Sequence, residues 1–93
     1  MNKKEEVKGK KPIIVEMSKE MAKGVYANWV KVGHTKEEFC LDFATLYEGH
    51  GIIAARIFVA PSLLKRMIVT LDKNLKRYEV DLGIKVKDRK AHV

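Results

Sequence analysis

Apolar residues recur at every third or fourth position between residues 64 and 82, which is the spacing of one face of an α-helix. At 100° per residue they fall within an arc of about 100°. Pro61 suits the first helical turn, and Gly83 supplies a C-terminal stop. The pattern predicts one long amphipathic helix whose apolar side covers a sheet. This helix stripe consists of Leu64, Met67, Ile68, Leu71, Leu75, Tyr78 and Leu82.

Strands are predicted upstream of the helix, where apolar and polar residues alternate. The clearest alternation lies within 38–44, where Phe39, Leu41 and Phe43 share one side. Segment 25–35 carries bulky apolar residues on both sides, so we expect it to be a central strand. The predicted strands are 13–17, 25–35, 38–44 and 52–60.

These elements predict the α+β class, with an antiparallel meander sheet of three to four strands packed by one long C-terminal helix (β-β-β-β-α). A chain of 93 residues makes one domain. We expect that domain to span 12–84, after a disordered basic segment at 1–11 and before a basic tail at 85–93. The polar residues 18–24 are either a loop or a helical turn.

The formal net charge of +7 is concentrated at the two ends of the chain. Residues 1–11 hold five lysines against two glutamates, and residues 85–93 hold four cations against one acid. Residues 12–84 carry ten cations and nine acids, so the predicted domain is almost neutral. Basic tails either bind polyanions or simply solvate a small protein, and solvation is the commoner use.

The chain has a single cysteine, Cys40, which cannot form an internal disulfide and fits a reducing compartment. We find no signal peptide, and no apolar run approaches the roughly 20 residues of a membrane span. We therefore expect a cytoplasmic protein without membrane contact.

The usual catalytic arrangements are missing from the sequence. Cys40 lies between two apolar strand residues and is interpreted as a packed side chain. The histidines His34, His50 and His92 are scattered and show no ligand spacing, so no metal site is predicted. The stretch 48–51 is too short for a phosphate loop and is interpreted as a hairpin turn. We expect neither a cofactor nor an enzymatic activity.

Two charged residues lie in the middle of predicted strands, Asp42 and Arg56. If Ile57 shares the side of Phe39 and Leu41, both point to the opposite side and can form a cross-strand ion pair, joined by the amide of Asn28. Such a cluster either fixes the register and faces a second subunit, or forms a binding or acid–base site. A lone carboxylate without a second acid is poor catalytic equipment, which favours the structural role.

The side of the helix opposite the stripe is basic. It is interpreted as a solvated face, with a polyanion-binding stripe as the alternative. Val69 and Val80 lie on this basic side too and could touch a partner helix. This cationic helix face consists of Lys65, Arg66, Lys73, Lys76 and Arg77.

The segment 25–83 resembles the prokaryotic domain-of-unknown-function family 3467. The residues that carry the resemblance are Val25-Tyr26-Ala27-Asn28, Glu38-Phe39, Leu41-Asp42-Phe43, Arg56-Ile57, Pro61, Leu71, Asn74-Leu75, Tyr78-Glu79 and Gly83. The resemblance implies a β-rich first half and a helical end, and no activity. Asn28, Asp42, Arg56 and Tyr78 match the recurrent polar positions of the family, which makes them the candidate site residues.

The chain is also similar in architecture to SecB-type export chaperones, whose sheet-then-helix subunits assemble into oligomers. It lacks their proline-rich loop and second helix, so this likeness implies architecture only. The expected function is a non-enzymatic module that forms a homodimer or higher homo-oligomer and binds protein. The alternatives are a nucleic-acid accessory protein that uses the basic tails and the cationic helix face, and an enzyme centred on Asp42 and Arg56.

Overall fold

The computed structural model describes the backbone of residues 3–7 and all atoms of residues 12–88. Five strands and two helices follow one another along the chain. They are β1 (Lys3–Val7), β2 (Ile13–Met17), α1 (Lys19–Lys23), β3 (Trp29–His34), β4 (Phe39–Tyr47), β5 (His50–Val59) and α2 (Pro61–Leu82). The α+β class is confirmed.

The main sheet has three antiparallel strands in the order β3-β4-β5. The strand at 25–35 is therefore an edge strand, and its predicted central position is wrong. β2 pairs with β1 in a separate two-stranded sheet instead of joining the meander. The expected disorder of 1–11 does not hold for residues 3–7, because strand pairing uses backbone groups and needs no apolar side chains. The other residues of that segment lie outside the described residues.

Two tight turns connect the three strands of the main sheet. Between β3 and β4, the Thr35 hydroxyl accepts hydrogen bonds from the backbone N–H groups of Glu37 (3.2 Å) and Glu38 (3.3 Å). Between β4 and β5, Glu48 and Gly49 have φ angles of 49° and 76°. Positive φ at both central residues is the mark of a type I′ hairpin. The predicted hairpin turn is confirmed, but it is shorter than 48–51, because His50 and Gly51 already belong to β5.

Both helices are capped, and Gly83 ends α2 as predicted. Segment 18–24 is helical: the Ser18 hydroxyl caps α1 by accepting from the Met21 N–H at 3.1 Å. Gly83 is left-handed after α2, and the N–H groups of Gly83 and Ile84 donate to the carbonyls of Val80 and Glu79. This pair of bonds is the Schellman motif.

The predicted packing of the helix stripe on the sheet is not found within one chain. α2 has no buried residue, and Leu71 is 62% exposed. Leu64 and Met67, in the first two turns, are half-buried. A single residue, Ala60, links β5 to α2. One residue spans at most about 3.6 Å, whereas a helix that folds back over a sheet lies roughly 10 Å above it.

The apolar core of the described residues is correspondingly small, with only Leu41, Ala44 and Val59 buried. The chain exposes 8982 Å² of surface, whereas a compact monomer of its mass exposes about 5,500 Å². Its radius of gyration is 16.1 Å, against about 12 Å for a compact domain of this length. The single chain thus leaves on the order of 3,500 Å² more surface open than a finished monomer does.

Candidate functional site

The register of the main sheet places three charged side chains in one line across it. Lys31 on β3 lies opposite Asp42 on β4, and Asp42 lies opposite Arg56 on β5. Directly opposed residues of an antiparallel pair project from the same side of the sheet. Lys31, Asp42 and Arg56 therefore form what we call the polar row.

Asp42 and Arg56 make a bidentate ion pair. The Arg56 Nε donates to Oδ1 of Asp42 at 2.7 Å, and a second guanidinium N–H donates to Oδ2 at 3.0 Å. The Asp42 side chain is 11% exposed and that of Arg56 is 60% exposed. A two-point contact of this kind fixes both the distance and the angle between the strands, because the guanidinium fork is planar. The predicted cross-strand pair is confirmed.

The ion pair determines the protonation of its members. Hydrogen bonding from Arg56 lowers the pKa of Asp42 below its ordinary range, and the charge of Lys31 acts in the same direction. The hydrogen bond to Asp42 likewise raises the pKa of Arg56. Asp42 is therefore an ionised carboxylate whose two oxygens are both occupied.

Cys40 lies two residues from Asp42 on the same strand and points to the same side. Its sulfur donates to Oδ1 of Asp42 at 3.6 Å. Burial raises the pKa of the Cys40 thiol, and the negative charge of Asp42 raises it further. A thiol held neutral beside a carboxylate is a weak nucleophile, which agrees with its interpretation as a packed residue.

Asn28 is not part of the polar row, contrary to the expectation that its amide joins Asp42 and Arg56. Its Oδ1 accepts from the Leu46 N–H at 2.8 Å, and its Nδ2 donates to the Leu46 carbonyl at 3.1 Å. The Asn28 backbone N–H donates to the carbonyl of Ala44 at 3.0 Å. The side-chain amide therefore pairs with Leu46 as a peptide group of a strand does, and it extends the β3–β4 ladder by one step.

A second side chain ties the same segment to β4. The Thr45 hydroxyl donates to the carbonyl of Tyr26 at 2.8 Å. Together, Asn28 and Thr45 hold residues 26–28 alongside the end of β4, although these residues are not themselves a strand. The sequence offered one signal for this role, since asparagine carries both a donor and an acceptor.

Tyr78, the fourth candidate, lies on α2 and is 49% exposed. Among the described residues it makes no hydrogen bond or ring contact, and it does not reach the polar row. The neighbouring Glu79 has a role that sequence reasoning missed. Its Oε2 accepts from the Val86 N–H at 2.7 Å and ties the segment after the helix back to α2.

The cationic helix face is exposed along its whole length. Among the described residues, one of its five cations forms an ion pair: Lys76 lies 2.8 Å from Asp72, one helical turn away. Lys65 and Arg66 line a shallow concavity of about 290 Å³ with Ser62 and Val69. These positions are successive turns of one side of α2, so the concavity is a surface feature of the helix.

No set of three or more histidine, cysteine, aspartate or glutamate side chains converges on a metal-sized space within the part of the chain that the structure describes. Neither helix among the described residues is long and apolar enough to cross a bilayer.

The fold and the polar row define the class of protein: a small α+β domain whose polar side chains join the strands of a sheet and whose helix stripe is uncovered. The profile of the family described as "Protein of unknown function (DUF3467)" matches residues 1–85, and the chain therefore belongs to this family. No curated protein and no solved structure matches the chain significantly, and the likeness to SecB-type chaperones is not confirmed.

Proposed function

We propose that the chain is the subunit of a cytoplasmic, non-enzymatic homo-oligomer that binds protein. The observation that carries this proposal is the exposure of two large apolar surfaces, one on the sheet and one on α2. Monomeric soluble proteins rarely expose contiguous apolar patches of more than a few hundred Å², and larger patches mark interaction sites. Obligate homodimers commonly bury 2,000–5,000 Å² or more in total, or about 1,000–2,500 Å² per chain, and the surplus surface of one chain is larger than that.

A non-enzymatic role is supported by the chemistry of the polar row. General acid–base catalysis requires a group whose pKa lies near the working pH and whose proton can move. The pKa of Asp42 is shifted away from neutrality, and both of its oxygens accept hydrogen bonds from Arg56. These contacts suit an ion pair that joins β4 to β5 better than a catalytic acid or base.

Binding of a further protein is supported by β2, whose apolar residues are outside the main sheet. Ile13 is 58% exposed, Ile14 68% and Val15 43%. Successive strand residues point to opposite sides, so these three residues place apolar surface on both sides of β2. A polypeptide partner can cover that surface.

Light scattering at two concentrations tests the oligomer, and the expected result is at least twice the mass of 10.6 kDa at both. Pull-down from cell extract, with and without nuclease, tests the partner. We expect Ile14→Ser to reduce specific capture and Lys19→Ser, a neighbouring exposed control, to leave it unchanged. A monomeric mass at both concentrations contradicts the oligomer, and capture that nuclease abolishes contradicts a protein ligand.

The cationic helix face favours a second candidate function, the binding of nucleic acid. Five cations on one side of a helix of about 33 Å can follow a phosphate backbone. If all five contact duplex DNA, log K should fall with log salt with a slope near −4.5. Reversing the charge of Lys73 (Lys73→Glu) should then reduce the slope by about 1 to 2, and an unchanged slope contradicts this candidate.

A further inference from the structure

We infer that two copies of this chain assemble by placing the helix stripe of each over the apolar sheet face of the other. This inference rests on the proposed function, since it specifies the surface through which the homo-oligomer forms. The apolar sheet face is the side of the main sheet opposite the polar row. Its apolar members are Val30, Val32, Phe39, Leu41, Phe43, Ala55, Ile57 and Val59, and His34 lies opposite Phe39 at one end of it.

Both surfaces are apolar and partly exposed in one chain: Leu41 and Val59 of the sheet face are buried, whereas other members of both surfaces are open to solvent. On the sheet, Val32 is 53% exposed and Ile57 is 46% exposed. On the helix, Ile68 is 61% exposed and Leu82 is 56% exposed. Apart from His34 at the end of β3, neither surface carries a titratable side chain that is charged at neutral pH, so pressing one against the other buries no carboxylate, ammonium or guanidinium group without a partner.

The two surfaces also match in size. The helix stripe runs over 19 residues, whose two ends lie about 27 Å apart along the axis, and a helix with its side chains is about 10–12 Å wide. β4 and β5 have nine and ten residues, or about 30 Å, and three strands span about 10 Å across the sheet. One helix therefore covers one three-stranded face.

The link at Ala60 explains why the partner is a second copy. Because one residue cannot carry α2 back over its own sheet, the stripe of a given chain is presented beyond the end of that sheet. Every copy thus has one helix stripe available for packing and one apolar sheet face that no helix of its own covers. Reciprocal exchange between two copies satisfies both needs around a twofold axis and closes the assembly.

Two other pairings use the surfaces less completely. Stripe-to-stripe pairing of the helices leaves the apolar sheet face open in both copies. Edge-to-edge pairing of β5 leaves both surfaces open, and β5 has an irregular register opposite Phe43 and Ala44. Such irregularities are typical of edges that avoid pairing.

Disulfide trapping between differently tagged copies tests the arrangement, in a Cys40→Ala background that removes the native thiol. One copy carries Leu71→Cys on the stripe and the other carries Val32→Cys on the sheet. The copies are mixed by unfolding and refolding, and the products of mild oxidation are separated by mass. The matched control replaces Leu71→Cys by Lys73→Cys, on the opposite side of the same helix.

We expect the Leu71→Cys and Val32→Cys copies to cross-link at least tenfold more than the Lys73→Cys and Val32→Cys copies. A dimer by light scattering in which Leu71→Cys cross-links mainly to itself, or in which neither sheet position cross-links to the helix, overturns the inference and leaves the proposed oligomer standing. A monomer by light scattering contradicts both. Ile57→Cys serves as the sheet position if Val32→Cys alters the circular dichroism spectrum.

Discussion

Replacing Asn28 by alanine removes a side chain that acts as a peptide group. Its two hydrogen bonds to Leu46, at 2.8 Å and 3.1 Å, are lost, while the backbone bond to Ala44 can remain. A typical intramolecular hydrogen bond contributes about 0.5–1.5 kcal/mol net. Because Asn28 is exposed, water can replace part of each bond, so we expect a loss of about 1–2 kcal/mol in the free energy of unfolding.

The assay is thermal unfolding followed by circular dichroism at one fixed protein concentration, since an oligomer makes Tm depend on concentration. For a chain of this size the expected fall in Tm is about 5–10 °C. Asn28→Asp should lose at least as much, because a carboxylate keeps the acceptor for the Leu46 N–H but opposes the Leu46 carbonyl.

Asn74→Ala is the matched control. The Asn74 amide also donates to a backbone carbonyl, that of Thr70 at 2.8 Å, but it does so on the exposed side of a helix. Alanine favours helix more than asparagine does, so the change should stay within about 0.5 kcal/mol. Equal effects of Asn28→Ala and Asn74→Ala would refute the view that the Asn28 amide extends the strand ladder.

Three further predictions concern the sheet and the helix end. Asp42→Asn should lower the Tm at neutral pH, because the lowered pKa of Asp42 contributes stability above the ordinary value of 3.8 that is lost as the pH falls through the folded-state pKa; a Tm difference from the unsubstituted chain that does not shrink in acid contradicts this. Gly83→Ala should cost about 1–2 kcal/mol in denaturant unfolding, since φ is +63° there, and a neutral effect contradicts the left-handed cap. Glu48→Asn should stabilise the chain by up to about 1 kcal/mol, because asparagine tolerates the positive φ of a type I′ turn better than glutamate does; a fall in Tm argues for another role of Glu48.

Local patterns predicted the elements that depend on neighbouring residues. Alternation in β4 and the short polar link before it indicate the β3–β4 hairpin, and the Glu48-Gly49 pair marks the next turn. Once these hairpins are aligned, the pairing of Asp42 with Arg56 follows from the two-residue period of a strand. Lys31 belongs to the same row and could have been found by extending that alignment to β3.

The errors concern questions that a sequence pattern leaves open. Apolar residues on both sides of residues 25–35 show that both sides are to be covered, and the pattern is the same whether the cover belongs to this chain or to another. The helix stripe was assigned to the chain's own sheet for the same reason. The assignment of Asn28 to the polar row was wrong for a related reason. Its contact with Leu46 exists only because the β3–β4 ladder ends beside it, and the sequence does not show where that ladder ends.

If two copies assemble as we propose, the single-residue link at Ala60 makes the state of assembly depend on loop length. Inserting three or four flexible residues there would let each helix return to the sheet of its own chain at a small entropic cost, since loop closure grows only slowly with length. The lengthened chain would then make a self-sufficient monomer. A chain of this kind can thus pass between solitary and shared forms by insertion or deletion at one point, with every apolar contact kept.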